Sequence, residues 1–234
     1  MDQDSLDGAL GPRLNWTPAL PPNGAALAGH SVSLQHMDAE AHAAALYGAS
    51  HGEGSDPLLW LYMGSGPFDS LEEYRGSVER NSISTDPLFY TIIPEGEEAA
   101  GQASYLRIDP ANGAIEIGHI WFGSSMQRSR AATEAIFLLA KHAFDELGYR
   151  RLEWKCNARN ARSRSAAERL GFTYEGTFRN AVVVRDRNRD TAWFSITKEE
   201  WAPIRTAFET WLSDDNFDAD GRQRRSLSAI REAP

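Results

Sequence analysis

Apolar and polar residues change rhythm several times along this chain, and each rhythm predicts a different element. HSVSLQHM (30–37) alternates like a half-buried strand, and Asp38 then caps DAEAHAAALYGAS as a helix. Residues 50–70 mix Gly and Pro with Trp60, Tyr62 and Phe68, which predicts a loop between short helices; Ser70 leads an amphipathic helix, SLEEYRGSVERNS. LFYTIIP, AAGQASYLRID and GAIEIGHIWF follow as three strands, and the turns EG at 95–96 and NG at 112–113 favour antiparallel hairpins between them. Ala132, Ala135, Ile136, Leu139 and Ala143 recur at helical spacing, one apolar stripe on a helix that runs from about 130 to Gly148. RRLEWKCN alternates as a strand, 160–170 reads as a short helix stopped at Gly171, and GFTYEGTFR and DTAWFSIT are strands on either side of the polar turn RDRNRD. A helix joining two parallel strands inside a mostly antiparallel sheet is an α+β arrangement.

Outside this pattern, residues 1–29 are rich in Pro, Gly and Ala and predict an arm without regular structure, with Trp16 docked on the body. The domain proper is expected over 30–212, with a C-terminal tail, 213–234, whose Arg222, Arg224 and Arg225 form a solvated basic cluster. Charge narrows the partners. With 33 acidic and 24 basic residues the net charge is −9, which disfavours nucleic acid and favours a cationic substrate. No apolar run approaches the ~20 residues that span a bilayer, so no membrane role is expected. MDQDSLDG at the start has no apolar segment of a secretory leader, and a single cysteine fits a reducing cytoplasm. The six histidines are scattered without metal-ligand spacing, and no glycine-rich nucleotide loop or Ser-His-Asp pattern occurs. Exposed sheet edges would suit a homodimer.

The start of the 130–148 helix carries the first chemistry. Ser125, Gln127, Ser129, Ala131 and Ala132 are small or polar, so the unpaired amides of its first turn can be approached closely. Arg128 and Arg130 could add direct contacts to a phosphate, as on a phosphate-bearing acyl carrier. An ordinary helix start with two exposed arginines reads the same way. In the next helix Asn160, Ser163 and Ala167 share one face, where the polar pair could bond an amide-rich arm; Asn160 could equally cap that helix.

The joint order of EIGHIWF, QRSRAATEAIFLLAKHAF, ELGYRRLEWKCNARN, SRSAAERLGFTYEGTFR and RDTAWFSITKEEW resembles the GCN5-related N-acetyltransferase (GNAT) superfamily, in its RimJ/RimL-like branch, from about His30 to Trp201. The resemblance implies a twisted, mostly antiparallel sheet with a splayed parallel strand pair, flanked by helices. It also implies acetyl-CoA as donor, lying between GAIEIGHIWF and RRLEWKCN. Cofactor contacts would come from Ile120, Trp121 and Phe122, from Gln127, Arg128, Ser129, Arg130, Ala131, Ala132 and Thr133, and from Asn157, Asn160 and Ser163. The family pattern Gln/Arg-x-x-Gly-x-Gly/Ala falls on 127–132, where Arg130 replaces the middle glycine. Without it the loop must use an ordinary backbone conformation, and Arg130→Ala is expected to raise the donor Michaelis constant.

The acceptor would be a small-molecule or peptide amine attacking directly in a ternary complex. Glu116 is the first candidate for the base, and its replacement by Gln should lower turnover most at low pH. Strict alternation puts Glu116, Gly118 and Ile120 on one face and His119 with Trp121 on the other; a bulge would change that phase, which keeps His119 as second candidate. A backbone amide around 118–120 would receive the oxyanion. Many relatives carry a tyrosine acid where this chain has Ala167, so Ser163 takes that place, and Cys156 reads as a buried small hydrophobe. Trp60, Tyr62, Phe68 and Tyr174 are the candidate acceptor-lining aromatics, although such residues also fill cores. A catalytically inert acyl-CoA sensor or interaction module of the same fold is the alternative.

Overall fold

The computed structural model describes residues 8–11 and 13–233. The acidic opening of the expected arm, residues 1–7, lies outside the described residues, as do 12 and 234. Eight strands form one sheet in the order β1-β2-β3-β4-β5-β6-β8-β7. They are β1 Leu27–Ala28, β2 Val32–His36, β3 Leu88–Pro94, β4 Gly101–Asp109, β5 Ala114–Phe122, β6 Arg151–Asn157, β7 Thr173–Val184 and β8 Arg187–Thr197. Every neighbouring pair is antiparallel except β5 and β6. The expected mixed sheet and its two hairpins are therefore present.

Helices cover the two faces unequally. On one face α1 (Ala39–His51) and α2 (Leu71–Ser82), capped by Asp38 and Ser70 as the sequence predicts, enclose a compact core around Trp60, Tyr74, Phe89 and Trp121. On the other face α3 (Arg130–Lys141) and α5 (Lys198–Leu212) bury the main core. The stripe Ala132, Ala135, Ile136, Leu139 and Ala143 is wholly buried there, so the 3.6-residue period served its usual purpose. α3 continues into a π turn, His142–Glu146. The Tyr105 hydroxyl donates to Leu139 O at 2.5 Å, and Leu147 N closes back on His142 O, five residues earlier. The short α4 (Ala161–Arg169) bridges β6 to β7.

Both termini are more tightly held than the sequence predicts. Trp16 Nε1 donates to Ala111 O at 2.8 Å, Ala19 N to Pro110 O and Leu20 N to Leu147 O, after which the arm joins the sheet as β1. Gly113 lets Trp16 lie there: a Cβ at that glycine would come within 2.3 Å of the indole. In the C-terminal segment Leu227 enters the main core at the start of α6 (Leu227–Arg231), and Arg231 donates to the last carbonyls of α4, at Glu168 and Arg169. Arg222, Arg224 and Arg225 are exposed as expected.

Candidate functional site

The parallel pair is hydrogen-bonded over only three residues, with Ala114, Ile115 and Glu116 opposite Arg151, Leu152 and Glu153. Beyond that point β5 stays with β4 up to Phe122, and β6 stays with β8 up to Asn157. The strands part, and the facing edges of Ile117–Phe122 and Trp154–Asn157 make no ladder with one another. This gap is the centre of the site.

At its mouth α3 begins. Ser129 is the N-cap, and its hydroxyl accepts from Ala132 N at 3.0 Å. Arg128 has φ of +61°, so the left-handed residue of the loop is Arg128, while Arg130 is helical in place of the family's glycine. Met126, Gln127, Ser129 and Thr133 donate their amides to backbone carbonyls of the loop. The amides of Arg128, Arg130 and Ala131 have no acceptor among the described residues. Together with the positive end of α3 they form an anion-binding surface, and the exposed Arg128 side chain makes no ion pair there among the described residues.

Arg130 behaves otherwise than expected. Its guanidinium turns away from the loop, pairs with Asp214 at 2.8 Å, donates to Leu212 O and lies 4.7 Å over the Phe217 ring. It pins the end of α5, so only its backbone amide serves the mouth. Arg130→Ala should therefore leave the donor Michaelis constant within about twofold and cost stability of about 1–2 kcal/mol. For a domain of this size that is a Tm lower by roughly 2–8 °C in a thermal melt.

Two bulges shape β5. Ser104 pairs with Gly118 but Gln102 with Trp121, so Ala103 faces both His119 and Ile120, and His119 has φ of +50°. Strict alternation thus fails. His119 and Trp121 lie on the same face as Glu116, whereas Ile120 and Phe122 pack on the main core. Trp121 is buried in the second core and offers the gap only its backbone. The second bulge is at Arg107, φ +48°, whose amide and that of Ile108 are held by the Asp86 carboxylate.

That second bulge aims Arg107 at Glu116. Glu116 is 3% exposed, and its Oε2 accepts from Arg107 Nη1 at 2.5 Å and sits 2.9 Å from Lys155 Nζ. The pair continues across the sheet: Lys155 to Glu153 at 2.6 Å, Arg151 to Glu153 at 2.7 Å, and Arg151 to Glu175, whose carboxyl it lowers to about 2. Glu116 Oε1 has no partner among the described residues. His119 Nδ1 lies 2.8 Å from Ser104 Oγ, and Nε2 has no partner among them. Burial, then the nearby Arg107 and Arg189, hold the His119 imidazole below its usual pKa, so it is neutral at neutral pH.

Of the other expected contacts, Asn160 is the cap of α4, accepting from Ser163 N at 3.1 Å, and Asn157 Oδ1 accepts from Arg159 N. Gln127 Nε2 donates to Phe122 O, and Thr133 is buried and takes a bond from Arg169. Ser163 Oγ accepts from Trp154 Nε1 at 3.0 Å and also lies against the Cys156 thiol. Burial raises that thiol above its usual pKa despite Ser163, Arg189 and Arg164, in keeping with a small core residue. Trp60 and Phe68 do not line an open pocket. They pack against His51, Tyr74 and, for Trp60, Trp121. Gly66, at φ +76°, is needed beneath the Trp60 ring, which a Cβ there would meet at 2.4 Å. Tyr174 is on the opposite face, against Phe194 and under Arg164, apart from these aromatics.

The 52–69 loop makes a bridge over the gap on the His119 side. Gly54 O accepts from Ser124, Asp56 pairs with Arg162 at 2.5 Å, and Tyr62 donates to Arg159 O. Arg185 at the tip of the β7–β8 hairpin donates to Met63 O and Gly66 O. Arg107, Lys155 and Ser104 escaped the sequence reading. Alternation in RRLEWKCN already places Lys155 beside Glu153 on one face, but nothing local says which face meets the gap.

A family model described as an acetyltransferase (GNAT) domain matches residues 32–173. The structure is similar to that of a GCN5-related N-acetyltransferase from Brucella melitensis, with 42% identity and a TM-score of 0.91 over 94% of this chain and 99% of that one. An uncharacterized N-acetyltransferase of Bacillus licheniformis is 30% identical over 63% of this chain and 85% of its own length. The ribosomal-protein-serine acetyltransferase of Escherichia coli is 29% identical over 57% of this chain and 73% of its own. The chain, with its parted strands and open amides at the head of α3, belongs to the GNAT family of N-acetyltransferases, in the RimJ/RimL-like branch.

Proposed function

We propose that this enzyme moves an acetyl group from acetyl-CoA to an α-amine by direct attack, with His119 taking the amine's proton. The family uses acetyl-CoA generally, and the residues present fit it. The open amides of Arg128, Arg130 and Ala131 would take its diphosphate, and the unpaired edges of β5 and β6 its amide-bearing arm. When bound, the thioester supplies an electrophilic carbonyl. The N–C bond forms there as the C–S bond breaks. His119 Nε2 receives the proton that the nitrogen loses, while Nδ1 is kept in register by Ser104. Ser163, at the far edge of the gap, is assigned the proton for the departing sulfur. Glu116, its Oε2 engaged by Arg107 and Lys155, orders the floor beneath His119.

An α-amine with pKa near ~8 is about 10% neutral at pH 7, a lysine near ~10.4 well under 1%. A single neutral imidazole therefore suits an α-amine. The similarity to an enzyme named for ribosomal-protein serine is compatible with a protein or peptide acceptor. The observation that carries this reading is the neutral, half-buried His119 lifted by its bulge onto the edge of the gap. Release of free thiol from acetyl-CoA, screened against amino acids, N-terminal peptides, polyamines and aminoglycosides, tests it. Transfer to α-amines with an acetylated product by mass supports it. Binding of acetyl-CoA with no thiol released across the panel would overturn it in favour of the inert sensor.

A further inference from the structure

We infer that the face of β8, one strand beyond the gap across β6, is a binding track for an acceptor that carries a carboxylate, held by Arg189, an inference that rests on the acetyl-transfer reading. Arg189, Thr191 and Trp193 are alternate residues of β8 and share one face. Thr191 is opposite Asn157 and Trp193 opposite Lys155 on β6, so this face is the one that bears Lys155 and Glu116. Each of the three has a buried polar atom without a partner among the described residues: Arg189 Nε, Thr191 Oγ1 and Trp193 Nε1. Leaving such a group unpaired is costly, and native proteins rarely do so without a role for it. Three at alternate positions along one strand make a ladder of donors that nothing among the described residues uses.

The charge beside them is also unspent. Lys155 is committed to Glu116, Glu153 and the face of Trp193, 3.8 Å away. Asp190, next to Arg189 in the chain, accepts instead from Asn180 N and Asn188 Nδ2. Arg189 has no carboxylate partner among the described residues. Its positive charge is felt by both His119 on β5 and Cys156 on β6, so the guanidinium lies near both of the strands that flank the gap. The bridge tied down by Arg185 covers the same side. A guanidinium wants a planar two-oxygen partner, and the Thr191 and Trp193 donors suit carbonyl oxygens further along. An amino acid, or a peptide with an acidic residue near its N-terminus, carries such groups. A polyamine would meet repulsion, although the overall charge of −9 favours cations: local geometry outweighs the net field at this range.

Initial rates with acetyl-CoA decide the point, using matched acceptors: a free amino acid against its amide, and a tripeptide with Asp or Glu at its second position against the Asn or Gln counterpart. The wild type should favour the carboxylate member about ten- to a hundredfold in kcat/KM, mostly through KM. The pair that shows the preference tells an amino acid from an acidic peptide. Arg189→Gln should shrink it below about threefold while leaving the donor KM unchanged, and Arg189→Lys should retain part of it. Thr191→Val should weaken both members alike. No preference in the wild type, or an Arg189→Gln effect equal on both members or confined to the donor KM, overturns the inference. If no acceptor turns over, the transfer reading has failed separately, and calorimetric titration of the same pairs into wild type and Arg189→Lys decides: selective binding of the carboxylate member, weakened by the substitution, supports the track, and equal binding ends it.

Discussion

His119→Gln is expected to lower kcat by about 10²–10⁴-fold, the usual worth of a positioned base, with little change in donor KM. The imidazole is half-buried, bonded through Nδ1 to Ser104, and has no partner for Nε2 among the described residues. Its pKa lies below 6.5, first through burial and then through Arg107 and Arg189. The active form is the neutral one, so kcat should be flat above about 6.5 and fall on acidification as His119 takes a proton. A rise in kcat/KM toward pH ~8 would instead belong to the acceptor's own amine. In His119→Gln the acid limb of kcat should vanish along with most of the rate. The same sign holds for folding. A base with a depressed native pKa binds protons better when unfolded, so its contribution is intact above about 6.5 and wanes below it. Glu116→Gln offers the contrast: were Glu116 the base, the acid limb would disappear there and survive in His119→Gln. A kcat within threefold of wild type for His119→Gln would end the assignment.

The choice between Glu116 and His119 marks where the sequence is legible and where it is not. Strands over 88–122 and 150–157, the capped helices and the stripe of α3 rest on periodicity, which local composition carries directly. The phase of β5 past Gly118 does not. It depends on a left-handed His119, and histidine carries no glycine-like signal for that conformation. Arg107 does the same on β4, which is why its contact with Glu116, nine residues away across the hairpin, escaped notice. The family loop suggests a donor contact for Arg130, yet the aromatic ring and carboxylate that capture it come from 214–217, in the expected tail. Of the expected acceptor-lining aromatics Trp60 and Phe68 meet in one cluster while Tyr62 and Tyr174 lie outside it, and whether such a cluster is pocket or core depends on the helices above it. The donors of β8 alternate plainly in RNRDTAW, and only the strand pairing reveals that they share the face of Lys155 on β6, one strand from the gap.

Lys155→Met is expected to destabilise the fold by about 3–5 kcal/mol, since it removes one member of a buried ionic cluster and leaves charges behind. The ammonium is 5% exposed, with Glu116 at 2.9 Å, Glu153 at 2.6 Å and the Trp193 ring at 3.8 Å. Burial alone would raise the Glu153 carboxyl, but bonds from Lys155 and Arg151 outweigh it and leave the group below its usual range. Glu153 therefore lends stability above its unfolded value of about 4.5 and withdraws it as pH falls through the lowered one. Without Lys155 that withdrawal should begin at higher pH. Urea unfolding at pH 7 should show the loss as a lower midpoint with an unchanged slope, and melting should give a Tm lower by roughly 6–20 °C. Adding Glu116→Gln to Lys155→Met should cost less than the two single changes summed, by about 0.5–3 kcal/mol, because the second substitution removes a charge that the first had stranded. A loss below about 1 kcal/mol for Lys155→Met, or strict additivity of the pair, would mean that water already solvates this floor, and that the cluster neither supports the sheet nor fixes Glu116 beside the gap.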